Sequence, residues 1–170
     1  MLFKLREKND EMRYAIAIDI GTTNIEAALV AIDEGGGDHG NKPVVMSTML
    51  RQNINSKFGR DVMTRITQAQ RGNLHEMSTE LRTQLSDMIE ELAGEADISR
   101  ITIACNTTMT HILLEEDCHN LGVFPFSPVH TELTSVMSAD IELLDGRAPV
   151  PVTILPGFSA YVGGDIPSLR

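Results

Sequence analysis

The sequence predicts an α/β fold built on a mixed sheet, and three observations carry that prediction. Three short apolar runs near the amino terminus are joined by brief polar links. Two segments with helical period follow them. Two further β-branched runs then alternate with helix-forming sequence.

The first run, residues 14–20 (YAIAIDI), is apolar and ends on an aspartate. The second, residues 25–32 (IEAALVAI), follows Gly21-Thr22-Thr23-Asn24, a turn composition that joins the two as a hairpin. Residues 33–43 (DEGGGDHGNKP) are a loop by composition, and 44–50 (VVMSTML) supply a third strand. Strands this closely linked form an antiparallel meander. Phe58, Val62, Ile66 and Ala69 share one face of a helix over 57–70, with Gly72 as its stop. Leu74, Met77, Leu81, Leu85, Met88, Ile89 and Leu92 recur at three- and four-residue steps, so a second helix runs over 74–92. Asn73 is its expected N-cap and Gly94 its expected C-terminal stop.

Residues 100–105 (RITIAC) read as a buried strand and 107–115 (TTMTHILLE) as a helix. The stretch 121–144, with prolines at 125 and 128, reads as an irregular excursion. Residues 150–155 (VPVTIL) form the last strand, and a helix is expected to begin at Ser159. The resulting order, βββαβαβ with crossovers to parallel strands, is that of an RNase H-like unit.

Composition narrows the class further. A chain of 170 residues, 42% hydrophobic and 22% charged, holds one domain with a sizeable core. No apolar run approaches the roughly 20 residues that span a bilayer, and MLFKLREKND is no secretory signal. A cytoplasmic location is therefore expected, with no membrane partner. Fourteen basic against 24 acidic residues leave a net charge of −10, which disfavours nucleic acid as a partner. An RNase H-type nuclease fares poorly for the same reason, and because the 100–105 strand is followed by Asn106 rather than a carboxylate.

Asp19-Ile20-Gly21-Thr22-Thr23 carries the chemistry. Gly21 lets backbone approach a bulky anion, and successive amides in a tight turn can cradle phosphate oxygens. Thr22 and Thr23 add hydroxyls, and Asp19 at the strand end suits hydrated Mg²⁺. The same residues also suit an ordinary hairpin turn. Asn106-Thr107-Thr108 opens a helix, where N-capping explains the residue types and a cleft-facing role is compatible with it. Asp61 and Arg65 read as an ion pair four residues apart on a solvated helix face. Cys105 reads as an inert core thiol. Cys118, in EEDCHN, reads as more exposed, with acidic neighbours that disfavour its thiolate. The five histidines lack zinc-site spacing, Gly35-Gly36-Gly37 lacks the lysine of a P-loop, and the methionines read as core.

Four segments together carry a family resemblance. AIAIDIGTTNIEAALV looks like the first phosphate loop of the superfamily of sugar kinases, heat-shock chaperones and actin. Residues 58–66 (FGRDVMTRI) resemble Y-G-x-D-V-x-S-R-I, and 106–111 (NTTMTH) resemble N-T-T-M-x-H. Residues 155–166 (LPGFSAYVGGDI) resemble L-P-x-x-S-A-F/Y-V-G-A/G-D-I. In this order they resemble the ATP-dependent reductive activators of corrinoid proteins.

The resemblance implies an actin-like ATPase lobe over 14–170, preceded by an extension at 1–13, with the second lobe absent. It implies ATP and Mg²⁺ as cofactors of the complete two-lobe protein. It assigns phosphate or nucleotide contacts to Asp19, Gly21, Thr22, Thr23, Asn106, Thr107, Thr108, Gly163, Gly164 and Asp165, with Asp19 toward the metal. The Gly163-Gly164-Asp165 stretch could equally be a flexible end. The implied partners are a corrinoid protein or corrinoid-dependent methyltransferase, an external electron donor and the missing second lobe. The implied reaction is reduction of Co(II) corrinoid to Co(I).

Several features depart from the family pattern. Cys105 and Cys118 cannot supply the four thiolates of a plant-type iron–sulfur cluster, so none is expected in this chain. Pro167 interrupts the expected helix, N-I-N-S-K replaces N-P-Q-x-x before Phe58, and the sequence ends ahead of a second phosphate loop. One lobe would hold a nucleotide through half its contacts, so weak or absent ATP binding is expected of this chain alone. The alternative is a non-enzymatic RNase H-like module that docks a corrinoid protein or a separate half-domain.

Overall fold

The computed structural model describes residues 13–32, 43–124, 126–128 and 132–156. Alternation of apolar and polar residues makes β1 (Arg13–Ile20) and β2 (Asn24–Ile32) antiparallel neighbours, with Ile20 opposite Ile25 across the turn. β3 (Val44–Gln52) pairs with β2, antiparallel, at the edge. β4 (Ile98–Cys105) lies parallel to β1, and β6 (Pro151–Ile154) parallel to β4. β5 (Thr134–Met137) pairs antiparallel with β6, giving the six-stranded order β3-β2-β1-β4-β6-β5. The meander and the parallel crossovers are those the sequence predicts.

The helices are α1 (Val62–Gln68), α2 (Leu74–Ala93) and α3 (Thr107–Leu114). Ile16, Ile18 and Ile20 of β1 share one buried core with Ile101 and Ile103 of β4, Leu81, Leu85 and Ile89 of α2, and Ile112 of α3. Each fully buried Leu or Ile contributes roughly 1.5–3 kcal/mol by leaving water. Methionines 77, 88 and 109 are buried there, whereas Met46, Met63 and Met137 are exposed. On the opposite face of the sheet Ala17, Asp19, Glu26, Ala28, Thr102 and Ala104 line a shallow trough of about 300 Å³.

Local details correct several sequence expectations. The helix expected over 57–70 is a 3-10 turn at Ile54–Lys57 and then α1, because Asp61 N-caps α1 and starts it afresh. Gly72, at φ 97°, kinks the chain within a π-helical turn (Ala69–Asn73) that runs straight into α2. Asn73 makes no side-chain cap and instead donates to the Gln68 side chain at 2.9 Å. The region expected to be irregular contains β5, a four-residue strand too short to show a clear period. Cys118 is buried, 1% exposed, and its thiol is pushed up to about 12 by desolvation first and by Asp117 and Glu116 second. The helix expected from Ser159, the Gly35-Gly36-Gly37 loop and the Gly163-Gly164-Asp165 stretch lie outside the described residues. Among the described residues no helix is long and apolar enough to cross a membrane.

Candidate functional site

The parallel pairing of β1 with β4 sets Ile20 beside Cys105, so both strands end at one edge of the sheet. The turn Gly21-Thr22-Thr23 leaves β1 there, and Asn106 leaves β4. Asn106 joins the two. Its Oδ1 accepts from the Met109 amide at 3.0 Å, the N-cap expected of it, and its Nδ2 donates to Thr22 Oγ1 at 3.3 Å. Gly21 is required by close approach, since a Cβ there would lie 2.7 Å from the Asn24 carbonyl oxygen.

Gly21, Thr22, Thr23 and Asn106 are thus brought together, while Asp19, one residue before the end of β1, lines the trough on the other face of the sheet. Thr107 and Thr108 are buried, 1% and 0% exposed, and the Thr108 hydroxyl has no hydrogen-bond partner among the described residues. Asp19 lies directly opposite Glu26 across the β1–β2 pair, both of them exposed. Two like charges in that position repel unless a cation or donor lies between them.

An open cleft of about 390 Å³ adjoins the turn, lined by Thr22, Thr23, Gln52, Ser56, Lys57 and Arg60. Lys57 donates to Glu80 at 2.6 Å and to Glu76 at 3.2 Å, and these carboxylates, Glu80 foremost, raise its pKa.

Two residues stand behind the turn in a role the sequence does not assign them. Asn53, fully buried, donates from Nδ2 to Gly21 O and from its backbone N to Thr23 O, each at 2.8 Å. Arg65 is also fully buried, which overturns the expected solvated pair with Asp61. Its Nη2 donates to Thr22 O, its Nε to Gly59 O at 3.1 Å, and its Nη1 approaches Met109 Sδ at 3.0 Å. Burial brings the guanidinium pKa down to about 10, with the Asp61 charge acting in the opposite sense. Asp61 spends its carboxylate on the Thr64 amide and hydroxyl, both at 2.8 Å, and these bonds hold its pKa below the usual carboxylate range. The sequence signals for these residues are that Asn53 opens N-I-N-S-K, where the family has N-P-Q-x-x, and that Arg65 lies in the 58–66 family segment.

The donor set fits a phosphate with a hydrated divalent cation. It combines a tight glycine turn, two hydroxyls and a carboxylate at the strand end. Among the described residues there is no cluster of three or more metal-ligating side chains.

Comparison with known proteins bears on the fold and the family. A solved structure described as a reductive activator for corrinoid, iron–sulfur protein superimposes with a TM-score of 0.80 at 27% identity, covering 95% of this chain and 25% of that one. The fold is accordingly RNase H-like, of the actin-like kind. The corrinoid activation enzyme RamQ of Eubacterium limosum is 31% identical over 160 residues, 89% of this chain and 25% of the relative. The chain thus spans about a quarter of the length of these relatives. The family described as the RACo middle region matches residues 14–169. A match over nearly the whole chain, with the four motifs in order, makes this chain a member of the RACo middle region family.

Proposed function

We propose that this chain is the first, phosphate-holding lobe of an ATP-dependent activator, one that supports reduction of a Co(II) corrinoid to Co(I) in a corrinoid or methyltransferase system. The observation that carries this reading is the joining of the Asp19–Thr23 turn to Asn106 at the shared ends of β1 and β4. Gly21, Thr22 and Thr23 hold phosphate through backbone and hydroxyls. Asp19, with Glu26 across from it, orients water around Mg²⁺. Asn106 fixes Thr22 and the start of α3, while Thr107 and Thr108 pack behind it. The family resemblance assigns further nucleotide contacts to Gly163, Gly164 and Asp165, and a second lobe supplies the adenine side.

ATP with Mg²⁺ supplies the free energy of the cycle when bound. The single electron reaching cobalt comes from a donor outside this chain, whose two cysteines do not make a plant-type cluster. The relatives named above concern corrinoid activation and a corrinoid, iron–sulfur protein, which supports a corrinoid protein as the partner.

Calorimetric titration tests the site. The isolated lobe is expected to bind Mg·ATP weakly, in the millimolar range, and Asp19→Ala to abolish the signal; micromolar affinity would contradict the half-site reading. Capture of a corrinoid protein tests the role. ATP-dependent capture lost in Asp19→Ala supports an activator, whereas ATP-independent capture unchanged in the variant favours a docking module.

A further inference from the structure

The turn's carbonyls are held from behind, one after another. Gly21 O accepts from Asn53 Nδ2 at 2.8 Å, Thr22 O from Arg65 Nη2, and Thr23 O from the Asn53 backbone N at 2.8 Å. In a trans peptide the N–H points opposite to the C=O of the same unit. The unit that carries Gly21 O also carries the Thr22 N–H, and the unit that carries Thr22 O carries the Thr23 N–H. Fixing these carbonyls toward Asn53 and Arg65 therefore turns both amides to the other side. Among the described residues neither amide enters a turn hydrogen bond.

The charge arrangement points the same way. Arg65 is 0% exposed, and its three acceptors are uncharged. No ion pair among the described residues includes it. Its nearest carboxylate in sequence, Asp61, is turned to Thr64. A buried guanidinium costs free energy unless something of opposite charge compensates it. An anion seated on the far side of the turn would supply the compensation that Arg65's three uncharged acceptors do not.

We propose that Arg65 and Asn53 are positioning residues for an anionic oxygen ligand: they clamp the carbonyls of the turn so that the Thr22 and Thr23 amides stand preformed as a cradle for a phosphate group. Neither side chain touches the ligand; both act through the backbone. This rests on the phosphate reading of the turn given above. It goes further by making affinity depend on two buried side chains outside the glycine–threonine motif. Preorganisation of this kind spares the turn the cost of ordering when the ligand arrives.

The test is a ¹H–¹⁵N titration of the 170-residue chain with pyrophosphate, read at the Thr22 and Thr23 amides. It is run for the native sequence, Arg65→Lys, Arg65→Gln and Asn53→Ala, with melting curves for each. The native chain should show saturable shifts at both amides in the millimolar range. Arg65→Lys and Arg65→Gln should weaken binding at least tenfold and move the ligand-free Thr22 and Thr23 resonances, while amides of β1 and β4 stay in place. Asn53→Ala should weaken binding severalfold and supplies an independent reading where an Arg65 variant fails to fold. Equal affinity in native and folded variant chains would overturn the clamp and leave the phosphate reading intact. No response in the native chain would overturn the phosphate reading and the clamp together.

Discussion

Two buried arginines sit at two different junctions of this molecule, and their surroundings differ in one respect. Arg82, on α2, donates to Leu113 O at 2.9 Å and approaches Glu142 at 3.3 Å and Glu115 at 3.7 Å. It ties the end of α3 and the loop after β5 to α2 with its charge answered by carboxylates. Arg65, on α1, ties the β1–β2 turn and Met109 of α3 to its own helix, with every acceptor uncharged. A buried cation used only as a staple is normally given a carboxylate. On the proposal above, the difference separates a structural junction from one whose charge a bound anion completes.

The comparison can be broken most decisively at Arg65. Arg65→Met should strand the carbonyls of Thr22 and Gly59 and lower stability by about 2–4 kcal/mol in urea denaturation, with loss of phosphate response in whatever folds. Gly21→Ala comes next. Its Cβ must displace the Asn24 carbonyl, which should cost about 1–3 kcal/mol and distort the cradle together with the fold. Arg82→Met is the control. It should destabilise by about 1–3 kcal/mol through the lost bond to Leu113 O, yet leave pyrophosphate affinity unchanged. A loss of affinity in that variant would erase the distinction between the two arginines.

The smallest effect is acid dependence. Thr64 lowers the pKa of Asp61, and Arg147 lowers that of Glu90. A carboxylate whose folded pKa lies below its unfolded value stabilises the fold above the unfolded pKa and loses that contribution as pH falls through the folded one. Melting temperature should therefore be flat near neutrality and decline modestly below about pH 4. Asp61→Asn and Glu90→Gln should flatten that decline.

The parts legible in the sequence were those fixed by local chemistry. The alternation of YAIAIDI, the Gly21 turn, the long apolar stripe of α2 and the Asn106 cap each follow from neighbours within a few residues. The family segments and their order were legible too. What escaped depends on distant partners. Asp61 and Arg65 have the spacing of a solvated pair, yet Thr64 captures the aspartate and the β1–β2 turn captures the arginine. Cys118 sits among acidic residues in sequence but packs into the core in space. β5 forms because β6 offers it an edge, not because four residues announce a strand. Asn53 shares the first position of the family's N-P-Q-x-x, but its partners lie across the sheet edge in the β1–β2 turn, so its role is not readable from neighbours.

Placement of the nucleotide is the most direct measurement. Mn²⁺ replaces Mg²⁺ in a complex with ATP, and paramagnetic broadening of backbone amides maps the metal. The proposed phosphate site predicts strong broadening at residues 19–24 and at Asn106, with the Arg82 and Arg147 regions unaffected. Broadening centred elsewhere, or spread evenly over the acidic surface, would contradict it.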